Sequence, residues 1–552
     1  MPPPHTHGWK TRLYHLSHHS VVLTKVTVGV LVAGFLIACG IVGVRGGGNK
    51  TPFERVKAIF ERRLANIRRD DRGHNWALAS WVAEVTLVKP PKTRKQRFPF
   101  EPPSPGKEEE PVMPVWMAFD LKRIVHEHVP DAVLQGRFDD FIAVRAAEAD
   151  SSQGQAARKR LEAAPNARTA PLANQFLGEL LWREARPVEA LAAFRREGDV
   201  WPLARHARAT AFALATETAD MTALREMLAT GYDADASAMD LLSAGVLLGD
   251  WKLQARGYLR MEGSRLRLEE LVFVLLSAAL WYAVFVRFGG ERDRWRWVRP
   301  MPAVLAGVVS IWPTMVLIAL RTGQEGRQEN GEFLHDLVFF ITGVGLREEA
   351  AKLLLFVPFL PWLLRRRSPG MALLVGAFVG LGFALEENRG YYHASGIGAT
   401  PVARLLTANF FHAAATGIVS HALYELARTR FGSADRFIAT FVAVIVAHGL
   451  YDWVQSTGSA NATVGSLSMF SIIILALLAN QFFDRVGEFV QPRRGTVSLN
   501  SIFLIGTALL LSGGFIAAAI HSGTMTAVTD VASSAISLVP IAVFYARKFA
   551  HL

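Results

Sequence analysis

The residues Arg347-Glu348-Glu349-Ala350-Ala351-Lys352 stand near the middle of an apolar stretch that runs from Phe333 to Leu364. A carboxylate or ammonium at the centre of a spanning helix costs roughly 2.5 to 3.5 kcal/mol, so ionisable groups there usually face a cavity and mark a working site. Glu348 and Lys352 fall one helical turn apart and share a face, with Glu349 about 100° round the helix. Three later apolar stretches carry polar groups of their own: Glu386-Glu387-Asn388 ends one, His412 and Thr416 lie one turn apart in the next, and His448 and Asp452 lie one turn apart in the third. Taken singly, each has a plain explanation as a helix-packing hydrogen bonder or a solvated helix end. Together they are at least six ionisable groups in four stretches, which would cost on the order of 10 kcal/mol unpaired, and that total argues for one shared polar site.

The chemistry such a set supports is hydrolysis. A glutamate in a dry cavity beside a second carboxylate suits general-base work on a water molecule, while Lys352 keeps its partner ionised. His412, His448 and Asn388 are the available donors to a developing oxyanion, and Asp452 can orient His448. Helix geometry does not separate Glu348 from Glu349 as the base. Two histidines with Glu and Asp could also bind zinc. The chain nevertheless has no His-Glu-x-x-His motif, and neither a metal nor another cofactor is expected.

The elements that must position these groups are long apolar helices. The 32 residues from Phe333 to Leu364 would extend about 48 Å as one helix, well beyond a hydrocarbon core of roughly 30 Å. The alternative, two short segments joined by a wet loop, lacks a Gly, Pro, Asn or Ser run at Glu348 to support it. Further apolar runs cover about 271–288, 301–320, 371–388, 404–427, 437–454, 467–484, 500–521 and 532–546, and with Val26–Val44 the reading is about ten spans. Gly376, Gly380 and Gly382 have a small-residue spacing that lets another helix approach closely.

Composition agrees with a membrane domain joined to a soluble one. Of 552 residues, 51% are hydrophobic and 34 are Phe, which is too apolar for an ordinary soluble protein. The net charge of +12 lies largely in short loops, where it sets topology, so no nucleic-acid partner is implied. One cysteine, Cys39, excludes an internal disulfide and any Cys-based zinc cluster. Leu36-Ile37-Ala38-Cys39-Gly40 is similar to a bacterial lipoprotein processing box, but the apolar Gly40 to Val44 beyond it favours an uncleaved helix.

The expected organisation is a basic N-terminus and anchor at 1–44, a soluble α-helical domain at 45–268, and a polytopic membrane domain at 269–552. Within the soluble domain, 52–69 reads as an amphipathic helix and 89–114 as a Pro- and charge-rich linker. Leu177, Gly178, Leu181, Ala190, Phe194 and Pro202 fall at the spacings of one tetratricopeptide-like repeat, which makes 170–262 a candidate surface for a protein partner. The fold class is all-α. Basic residues number about sixteen in one set of loops and about four in the alternate set, which places both termini in the cytoplasm and the soluble domain outside.

In this order on successive helices, Glu348-Glu349-x-x-Lys352, Phe383-x-x-x-Glu387-Asn388, His412 and His448-x-x-x-Asp452 resemble the four motifs of PrsW-type glutamic intramembrane proteases, relatives of the CAAX prenyl endopeptidases. The resemblance covers roughly 300–460. It implies that the paired glutamates and the histidines form the catalytic site, that Glu348 is the base, and that the substrate is a membrane-anchored protein cleaved in regulated proteolysis signalling. It also implies a bacterial inner-membrane location. Lys352 and Glu387 depart from the prenyl endopeptidases and weigh against a prenyl substrate. The competing readings are a non-enzymatic scaffold or sensor using the external domain to hold a partner, and a proton-coupled transporter, for which no inverted repeat is found.

Overall fold

The computed structural model describes residues 8–44, most of 122–126, 132–146, 152–163, 172–264 apart from 203, 268–288, 297–314, 332–395, 399–458, 464–489, 497–522 and 524–551. Every element among them is a helix, and the chain is an all-α polytopic membrane protein. The expected helix at 52–69 and linker at 89–114 lie outside the described residues. Two compact units emerge: Gly48–Gly263, and the combination of Met1–Gly47 with Ser264–Leu552.

The chain opens with α1 (Gly8–His18) and α2 (Ser20–Val44). The Gly48–Gly263 unit then contains α3 (Ala132–Ala146), α4 (Ser152–Glu162), α5 (Ala173–Arg183), α6 (Pro187–Val200), α7 (Arg205–Glu217), α8 (Met221–Ala229), α9 (Ala238–Leu248) and α10 (Trp251–Ser264). Local sequence explains the boundaries. Pro187 starts α6 where its missing N–H costs nothing, Asp220 and Ser237 cap α8 and α9 through the N–H groups of Ala223 and Asp240, and Gly249 ends α9 at φ 65°. The helices close on a core of Leu181, Ala190, Phe194, Phe212, Tyr232 and Leu241. Gly178 matters because a Cβ there would stand 3.0 Å from the Phe194 ring. The residues from Leu177 to Pro202 thus form the hairpin α5–α6, with Pro202 exposed in the turn that follows. Fully buried Glu197 accepts the Leu172 N–H at 2.7 Å at the start of α5, and burial pushes its carboxyl up to about 7.

Among the described residues of the membrane unit, six helices are long and apolar enough to cross a bilayer: 20–42, 270–288, 369–392, 434–455, 470–489 and 499–520. They belong to α2, α11 (Leu268–Phe288), α16 (Pro369–Ser395), α19 (Ala434–Gly458), α20 (Val464–Phe489) and α21 (Leu499–Ser522). Shorter pieces lie between them: α12 (Met301–Val309), α13 (Phe333–Val338), α14 (Leu346–Phe356), α15 (Leu360–Arg366), α17 (Ala399–Leu406), α18 (Ala408–Arg428), α22 (Thr524–Ala527), α23 (Ser533–Ser537) and α24 (Val539–His551).

Phe333–Arg366 is helical throughout, with no loop at Glu348. A π-helical segment, Phe339–Gly345, joins α13 to α14, and a 3-10 turn joins α14 to α15. The stretch expected at 404–427 is instead two helices broken at Thr407, whose hydroxyl turns back to the Ala403 carbonyl at 2.9 Å. The stretch expected at 532–546 is broken as well, with Pro540 beginning a fresh helix because it has no N–H to continue the one before.

Candidate active site

Two close approaches between helix backbones build the site. On α16, a Cβ at Gly380 would stand 2.1 Å from the carbonyl oxygen of His412, so only glycine lets α18 lie where it does. On α19, a Cβ at Gly449 would stand 2.4 Å from Ile341 Cα, which seats the π-helical segment directly against the helix that carries His448. A π turn re-aims the side chains that follow it and recurs at functional sites. Here the residues that follow are Glu348, Glu349 and Lys352 on α14.

The eight residues singled out from sequence meet in one network. Lys352, with no exposed side-chain surface, donates to Glu349 Oε1 at 2.7 Å and to His412 Nδ1 at 3.0 Å, lies 3.7 Å from Glu348 Oε2, and sits 3.9 Å from the centre of the Phe383 ring. Glu349 Oε1 also meets His448 Nδ1 at 2.8 Å, and Glu349 Oε2 accepts from Thr416 at 3.4 Å. His412 Nε2 meets Glu387 Oε2 at 2.7 Å. Asn388 donates to Asn409 at 2.9 Å. Finally, His448 Nε2 lies 3.3 Å from Asp452 Oδ2 and 3.4 Å from Glu348 Oε2.

The two glutamates are not equivalent. Glu349 is fully buried and both its oxygens are engaged, whereas Glu348 is 13% exposed and its Oε2 has no hydrogen-bond partner. His448 Nε2 is likewise without one, because its two carboxylate neighbours are near enough for ion pairing but not aligned to accept. The histidines differ in the same way. An ammonium offers donors only, so Lys352 takes the lone pair of His412 Nδ1, and the ring proton then sits on Nε2, where it is donated to Glu387. Neither nitrogen of His412 remains for a reacting group.

Residues 294–479 match a family model described as PrsW family intramembrane metalloprotease. This region is similar to PrsW-type proteases. No curated protein and no solved structure matches the chain. The matched region holds every residue of the polar network and leaves the Gly48–Gly263 unit outside it.

The family's description implies a metal. The ligand atoms of Glu348, His412 and His448 lie within 4.8 Å of one another. Zinc held at about 2.0–2.2 Å by each would draw them to about 3.4 Å, and each histidine would need a lone pair facing the ion. His412 has none to give while Lys352 occupies Nδ1 and Glu387 holds the Nε2 proton. The residues as arranged do not fit a metal of this ligand set.

Thr416, one turn beyond His412 as the spacing predicts, holds Glu349. Two participants were missed from sequence: Asn409 on α18 accepts from Asn388, and Arg404 is the second. Arg404 on α17 donates to Glu387 Oε2 at 2.6 Å and to Asn388 Oδ1. Arg404 counted among the loop charges, and nothing in its spacing told that α17 would fold back over the end of α16.

Proposed function

We propose that the chain is an intramembrane endopeptidase of the glutamic type, hydrolysing a peptide bond in a membrane-anchored protein with Glu348 as general base. The observation that carries this reading is the pair Glu348 Oε2 and His448 Nε2: buried, 3.4 Å apart and without hydrogen-bond partners, while Glu349 and His412 are saturated. A water between Glu348 and an approaching carbonyl gives its proton to Oε2 as its oxygen bonds to the carbonyl carbon. With Glu349 on Nδ1 and Glu348 and Asp452 beside Nε2, His448 presents an N–H to the oxyanion that forms. Collapse breaks the C–N bond, and Glu348 returns the proton to the leaving amine. Glu349, Lys352 and His412 act as the frame that holds His448 and Glu348 in register, and Glu387, Asn388 and Asp452 support them. No step runs through a metal.

The substrate class follows from the location of the site among spanning helices. We place the Gly48–Gly263 unit on the external side from loop charge, with residues 170–262 offering a tetratricopeptide-like surface for a protein partner. The location is a bacterial inner membrane and the role regulated proteolysis. Comparing the proteins of membranes that carry wild-type or Glu348→Gln chain tests the reading. A substrate whose membrane-anchored form accumulates only with the variant supports it, and identical profiles contradict it.

A further inference from the structure

The matched protease region ends at residue 479, yet the site is tied to helices on both sides of it. The link is α17, a short helix broken from α18 at Thr407. A helix ending in a buried place leaves carbonyls that need donors. Here they come from outside the matched region: Trp281 Nε1 on α11 donates to the Leu405 carbonyl at 2.7 Å, and Tyr545 Oη on α24 donates to the Leu406 carbonyl at 3.2 Å. Both side chains are fully buried and pack on one another, with ring centroids 5.3 Å apart. The residue just before these two carbonyls is Arg404.

Arg404 is placed with little freedom. Its guanidinium lies 3.8 Å from the centre of the Tyr391 ring, its Nη2 donates to Glu387 Oε2 and its Nε to Asn388 Oδ1. The oxygen it holds, Glu387 Oε2, is the one that takes the His412 Nε2 proton. A planar guanidinium binding two acceptors at once fixes position as well as charge, which an ammonium cannot do.

We infer that Arg404 is a positioning residue for the protease site, and that Trp281 and Tyr545 lock it there. By fixing Glu387 it fixes the His412 proton on Nε2, leaves Nδ1 to accept from Lys352, and so orients Lys352 toward Glu349 and Glu348. Its contacts are with Glu387, Asn388 and Tyr391, so it acts through them and not on the reacting atoms. The inference rests on the proposed glutamic-protease reading and adds to it the dependence of the site on α11 and α24, beyond the region that defines the family.

The test uses full-length protein in detergent or vesicles and one cleavable membrane-anchored substrate, with Glu348→Gln as the reference for that reading. Arg404→Gln is expected to lower kcat on the order of 10- to 100-fold with KM unchanged, the cost of reacting groups misplaced by about an ångström. Arg404→Lys is expected to recover part of that loss, and Tyr545→Phe to give a smaller fall of the same kind. The loss from Arg404→Gln combined with Glu387→Gln should be smaller than the sum of the single losses, since both act through one contact. Arg404→Gln that keeps full kcat, or that loses activity only in step with a lowered melting temperature, overturns the inference. If Glu348→Gln retains cleavage, the protease reading itself fails. If Glu348→Gln is inactive while Arg404→Gln is unaffected, only the role of Arg404 fails.

Discussion

Glu348 Oε2 lies 3.4 Å from His448 Nε2 on a neighbouring helix, and neither atom has a hydrogen-bond partner. Leaving two buried polar atoms unmade is costly, and the rest of the network shows that it was avoidable: Glu349 and His412, one residue and one helix away, are fully engaged. In the proposed mechanism these are the acceptor and the donor left for an entering water and a carbonyl, and they divide the paired glutamates into an acting and a holding member.

That division predicts unequal stability effects. Glu348→Gln removes a carboxylate with no hydrogen bond at its inner oxygen and is expected to abolish turnover with little change in melting temperature. Glu349→Gln weakens a fully buried partner of both Lys352 and His448, and breaking such a pair costs about 3–5 kcal/mol. Thermal unfolding of the two variants in one detergent decides the assignment. Equal destabilisation would show that the glutamates are interchangeable.

Gly380 predicts a packing effect. A methyl group there would meet the His412 carbonyl at 2.1 Å, so Gly380→Ala must push α16 and α18 apart and carry His412 away from Glu387. We expect a marked fall in both melting temperature and kcat. The same change at Gly513, with nothing within 4 Å, is the control and is expected to affect neither.

Glu197 predicts a pH dependence in the Gly48–Gly263 unit. Its folded carboxyl titrates near 7, above the ordinary 4.5, so the folded state holds a proton that the unfolded state has released. The stability this gives is full below about 4.5 and is lost as pH rises toward and past 7. Glu197→Gln is expected to match wild type near the acid end of that window and to exceed it at pH 8. Hydrogen exchange at Leu172, Asn174 and Gln175, corrected for intrinsic rates, reads the difference. Parallel profiles across the window would contradict it.

Much of the site was legible because membrane burial makes ionisable residues conspicuous: Glu348, Glu349, Lys352, Glu387, Asn388, His412, His448 and Asp452 stand out against apolar surroundings, and all eight meet. Their roles were not legible. Helix periodicity places Glu348 and Glu349 on adjacent faces, but the partners that tell them apart come from α18 and α19. Arg404 was hidden for a related reason. The carbonyls of Leu405 and Leu406, just before the break at Thr407, are met by Trp281 and Tyr545, 124 and 139 residues from them in the chain, and no local pattern announces such a contact. The hairpin α5–α6 was readable from Gly178 and Phe194, since a helix crossing this close needs a glycine opposite a ring.

Loop charge predicts topology. A reporter fused at Gly154 is expected to behave as external and one at Arg367 as cytoplasmic, and the new terminus of the cleaved product should fall in or just above the outer half of the membrane. A cytoplasmic signal from Gly154 would reverse the orientation of the site.

The most direct measurement is turnover of a membrane-anchored substrate by purified wild-type and Glu348→Gln protein after exhaustive chelation, with bound metal quantified in the same samples. We expect metal-free wild-type protein to cleave at its full rate and folded Glu348→Gln protein to be inactive. Cleavage by Glu348→Gln, or wild-type activity that disappears with zinc and returns with it, would contradict glutamate-activated water as the mechanism.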